Sequence, residues 1–139
     1  MRFPVGGFLF VACLFWGISL QALAATPQTN YILRCMGCHL QDGSATPGHI
    51  PGLNGIDRFL SVEGGREYLI RVPGVSLSVL DDQDLTDLMN WLLVRFGTTG
   101  TGADFIPYTP IEVAAYRRLP YTGVDAVRLA LITAIESQD

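Results

Sequence analysis

The chain has 139 residues, about half of them apolar, which suffices for one modest core and is too few for two. Its formal charge of -4, from 13 acidic and 9 basic residues, leaves no basic stripe of the kind that binds nucleic acid. All nine basic residues are arginines, so the chain offers no amine for Schiff-base chemistry or for a phosphate loop.

Residues 1–25 read as a secretory signal peptide: Arg2 is the sole charge, an apolar stretch runs from Phe8 to Leu20, and Ala22-Leu23-Ala24 has the small-x-small form of a cleavage site. Cleavage there predicts a periplasmic protein and removes Cys13 with the peptide. Left uncleaved, the stretch would tie the chain to a membrane, although it is shorter than the roughly 20 residues a spanning helix needs. Next, "QTNYILRCMGC" predicts a short helix entering a pair of cysteines. The glycines and prolines of "HLQDGSATPGHIPGLNG" predict a loop, and one that long in a small domain commonly wraps a ligand. "IDRFLSV" and "GREYLIRV" read as two short helical pieces, the second ending at Pro73-Gly74.

From Asp81 the apolar residues Leu85, Leu88, Met89, Leu92 and Phe96 recur at helical spacing, with Asp81, Asp82 and Asp84 at the positive end and Gly97 as terminator. A linker, "TTGTGADFIPYTP", leads to helices over Ile111–Arg118 and Val124–Glu136. No segment alternates with period two, so the fold class is all-α. The division is a signal peptide over 1–25, a ligand-binding domain over 26–97 and a helical extension over 98–139.

The chemistry concentrates at Cys35-Met36-Gly37-Cys38-His39. A Cys-x-x-Cys-His run in an exported chain has two main readings, thioredoxin-like redox chemistry and covalent haem attachment. The first needs a βαβ context, and no strand pattern flanks the motif. A structural disulfide across so short a loop removes little chain entropy and is strained. Zinc would need adjacent Cys38 and His39 to share one tetrahedral ion with Cys35 and His49. Haem attachment uses all three groups as they stand: Cys35 and Cys38 reach two vinyl groups on one ring edge, and His39 reaches the iron.

Residues 27 to 97 resemble a small class I cytochrome c. Tyr31 stands four residues before Cys35, where that family has an aromatic. Leu88 and Trp91 match its leucine and aromatic pair on the last helix, and Pro51 with Leu53 match the proline and leucine after the haem histidine. The resemblance implies a small helical domain wrapped around one covalently attached haem c, with iron ligated by His39 and the Pro51 carbonyl accepting a hydrogen bond from the other imidazole nitrogen. It also implies an electron carrier, not an enzyme in itself, that serves a protein partner such as a dehydrogenase or oxidase, alone or as the cytochrome subunit of an oxidoreductase.

One family feature is missing. The segment before the last helix, which in that family supplies a methionine to the iron, is here "VPGVSLSVLDD" and contains none. Met89 lies in an apolar helical stripe, and His49 lies in the loop on the proximal side. The sixth position is therefore expected to lack a strong protein ligand, with His49 and Met89 as the other candidates. An open position would suit a second function, the binding of NO, CO or peroxide by a sensor, scavenger or weak peroxidase. Arg71, and less so Arg66, are candidate partners for the haem propionates. The extension has enough apolar residues to pack on the haem domain or on a partner.

Overall fold

The computed structural model describes residues 25–46, 50–98 and 105–138. Residues 1–24 of the expected signal peptide, Cys13 among them, and His49 lie outside the described residues. Among those described the fold is helical: α1 spans Pro27–Arg34, a 3-10 helix Ile56–Ser61, α2 Gly65–Arg71, α3 Pro73–Ser76, α4 Asp82–Phe96, α5 Pro110–Arg117 and α6 Val124–Glu136.

Sequence chemistry marks the helix starts. Thr26 caps α1, its side chain accepting from Thr29 N–H, and Pro27 occupies the first helical position, where a missing N–H costs nothing. Asp81 caps α4 by accepting from Asp84 N–H. Thr109 and Glu112 form a reciprocal capping box on α5.

Helix α4 is the axis of the molecule. Leu85, Leu88, Met89, Leu92, Leu93 and Phe96 are all buried along it, a band wide enough to serve two neighbours. Helices α1 and α5 both pack on it. Helix α5 also covers α2 and α3, while α6 lies on the 3-10 helix and α2. The extension is therefore a second layer over residues 27–97, contributing Tyr108, Val113 and Leu131 to the common core.

As expected, a short helix enters the cysteine motif: α1 ends at Arg34 and the motif follows it as turns. One feature differs from expectation. Gly97 ends α4 in extended conformation, φ -68 and ψ 151, not in the left-handed region usual for a terminating glycine. Closeness explains why a glycine stands there all the same: a Cβ at Gly97 would lie 2.4 Å from the Leu93 carbonyl oxygen and 3.0 Å from Asp57 Cγ. That approach lets Asp57 accept from Thr98 N–H at 3.0 Å, and Gly55 N–H donates to Phe96 O at 2.7 Å, so the 3-10 helix is tied to the end of α4.

Candidate haem site

The motif leaves α1 as a series of backbone turns. Cys35 N–H and Met36 N–H both donate to Tyr31 O, at 2.9 and 3.1 Å, and Cys38 N–H and His39 N–H both donate to Cys35 O, at 3.1 and 2.9 Å. The chain then folds back on itself. His39 bridges Ala45, Leu40 N–H donates to Ser44 O at 2.7 Å, and Asp42 holds the turn by accepting from Ser44 N–H and Oγ. Those bonds keep the Asp42 carboxyl below its ordinary value. Tyr31 fixes the turn from behind, its hydroxyl donating to Leu40 O at 2.5 Å while its ring packs on Trp91 and Phe96. Anchoring the motif to α4 is the work of this aromatic group.

The two thiols are not joined by a disulfide. Cys35 is partly buried and Cys38 exposed, and burial pushes the Cys35 thiol up. Burial also lowers the His39 imidazole. Its Nδ1 is enclosed and makes no hydrogen bond among the described residues, which leaves Nε2 as the other nitrogen that could take a metal. A structural imidazole would use its inward nitrogen on a protein acceptor. The hydrogen bond expected between this Nδ1 and the Pro51 carbonyl is not made in the structure, where Pro51 is exposed. Leu53, partly buried against the core, is held by its N–H donating to Gly43 O at 2.7 Å.

These groups fit a haem. The thiols are unpaired with each other, the imidazole has a buried nitrogen without a protein partner among the described residues, and the large apolar side chains of Ile32, Leu33 and Leu40 stand exposed on either side of the motif. Met36 faces a cavity of about 220 Å³ between α1 and α4, lined also by Gln28, Ile32, Trp91 and Arg95. Neither thiol nor His39 lines that cavity.

Met89 is in the core, 3% exposed. Arg71 and Arg66 are both turned to the extension. Arg71 pairs with Glu67, donates through Nε to Leu119 O and lies over the Tyr121 ring, 3.9 Å from its centroid. Arg66 grips Glu112 through two nitrogens, at 2.5 and 2.8 Å, and donates to Ile106 O and Pro107 O. Sequence reasoning missed Arg117 altogether, since its partners lie 35 to 41 positions away in the chain.

Two thiols and an imidazole gathered on consecutive turns, directly after a helix that packs on the longest helix of an all-helical domain, are the defining arrangement of the c-type cytochromes. No family model matches the chain. It is, however, 32% identical to a cytochrome c-552 of Thermus thermophilus, covering 69% of this chain and 78% of that protein. A second Thermus thermophilus cytochrome c-552 is 33% identical over 60% of this chain and 79% of its own length. The chain belongs to the c-type cytochromes, electron carriers with covalently attached haem c.

Proposed function

We propose that this cytochrome is an exported, monohaem carrier that passes single electrons between protein partners such as a dehydrogenase and an oxidase. The observation that carries the reading is the turn at Cys35, Cys38 and His39, with two unpaired thiols and an imidazole whose inward Nδ1 leaves Nε2 for iron. Bound there, haem supplies a one-electron iron couple. Cys35 and Cys38 would hold the ring by thioethers and His39 would supply a nitrogen to its iron. The Pro51 carbonyl is the acceptor proposed for Nδ1–H once the imidazole is fixed, and Leu53 is the proposed apolar contact; Arg71, the candidate partner for a propionate, would have to leave Glu67 and Leu119 O to reach it. The leader-like residues 1–25 support the periplasm as the site of action.

Acid–acetone extraction of the holoprotein tests the attachment. The haem should stay with the polypeptide, and Cys35→Ala with Cys38→Ala should release it; colour in the organic layer from the unaltered protein would refute the assignment.

A second reading has its own support. Val72–Asp82 contains neither methionine nor histidine, and Met89 is enclosed in the core, which favours an open sixth position and small-ligand binding. High-spin ferric haem, unchanged in His49→Ala and Met89→Leu, would favour this reading over pure electron transfer.

A further inference from the structure

Arg117, near the end of α5, makes more polar contacts across the molecule than its place in a terminal extension would require. Nε donates to Ser76 O at 3.2 Å, Nη2 to Ser78 O at 2.5 Å, and Nη1 to both Leu80 O and the Asp82 carboxylate, at 2.8 and 3.0 Å. The side chain is only 15% exposed, so these bonds form where water competes poorly. Three alternate carbonyls of one short segment thus converge on a single guanidinium, with the first residue of α4 completing the set. A planar fork with five fixed donors can do this; an ammonium cannot match it.

The segment so held is Val72–Asp82, the stretch from which the resembled family supplies its second axial ligand. Here no such ligand is present to fasten the stretch to the iron. We propose that Arg117 is a positioning residue for the haem's second axial side, holding the Ser76–Asp82 backbone in the place of that missing bond. The proposal rests on the cytochrome reading above. The side chains of the held segment agree with it: Ser76 and Leu80 are buried beside the guanidinium's partners, while Leu77 and Val79 are 69% and 78% exposed. The grip therefore sets where two apolar side chains are presented.

The test uses the full-length holoprotein with Arg117→Ala and Arg117→Lys, followed by hydrogen exchange and by the rate at which CO adds to the ferrous form. In Arg117→Ala, exchange over residues 76–80 should quicken roughly tenfold or more, the scale of losing a charge-assisted hydrogen bond. CO association should change by about twofold to thirtyfold, with exchange in α1 unaltered, and Arg117→Lys should recover part of both effects. Unchanged exchange over 76–80 would overturn the proposal. So would faster exchange with an unaltered CO rate, which would make Arg117 a structural tie only, or exchange quickened equally in α1 and α2. Where Arg117→Ala does not accumulate, Arg117→Lys and Asp82→Asn are judged by the same criteria. Failure of the cytochrome reading shows separately, as haem lost from the unaltered protein in acid–acetone, whatever the exchange rates.

Discussion

At Gly65 the chain comes closer to itself than any side chain would allow. A Cβ there would stand 1.8 Å from the Phe59 carbonyl oxygen, because α2 starts directly against the 3-10 helix. Gly65→Ala must push the two elements apart, and overpacking of this kind costs about 1–3 kcal/mol. Gly74, inside α3, has nothing within 4 Å of its Cβ position, so Gly74→Ala should be neutral or stabilising by up to ~1 kcal/mol. Urea unfolding of the two holoprotein variants checks the contrast, and equal midpoints would contradict it. Neither glycine announces its role in the sequence, where both stand beside other turn residues. The motif residues are a different case: Cys35, Cys38 and His39 are legible because their chemistry and spacing are local. Tyr31 is half legible, since its place before Cys35 suggests packing but not the hydroxyl bond to Leu40 O.

Among the elements, α4 is the most readable: its apolar stripe survives folding unchanged, Asp82 and Asp84 sit in its first turn as expected, and Asp81 stands one place earlier as the cap. The docking of α5 is not, because Arg66 and Glu112 are 46 residues apart and nothing local connects them. Their pairing has a pH signature. The hydrogen bonds and charge of Arg66 hold the Glu112 carboxyl below its ordinary value, against a smaller opposing effect of burial. A carboxyl lowered by folding adds stability above its unfolded value, near ~4.3, and loses it as pH falls through the lower folded value. Glu112→Gln should therefore cost about 1 kcal/mol at neutral pH, the scale of a pair about a quarter exposed, and nearly nothing in acid below the folded value. Unfolding both proteins by urea at a series of pH values measures the gap. A gap that stays constant into acid would rule out ionic pairing as its source.

For the whole molecule, the extension is part of the fold and not an appendage. Tyr108 is buried, its hydroxyl donates to Arg66 O at 2.6 Å, and its backbone exchanges two hydrogen bonds with the Asn90 amide in mid-α4. Val113 is fully buried and Leu131 nearly so. Burying side chains of this size contributes ~1.5–3 kcal/mol each, so a chain ending at residue 104 should lose several kcal/mol of stability. Its denaturant slope should fall too, since less surface is exposed on unfolding. A truncated holoprotein with the same midpoint and slope as the full chain would show that the extension folds separately. The composition of these residues gave notice that they would pack on something; only the three-dimensional arrangement shows that the surface belongs to the same chain.

The way Arg117 binds also bears on which substitutions the protein can absorb. Three of its four acceptors are main-chain oxygens, which every amino acid carries. The guanidinium thus recognises the course of the backbone and is indifferent to the identity of residues 77 and 79. Those two positions are free to vary without loosening their own support, and a change in what the protein presents there would leave its architecture intact.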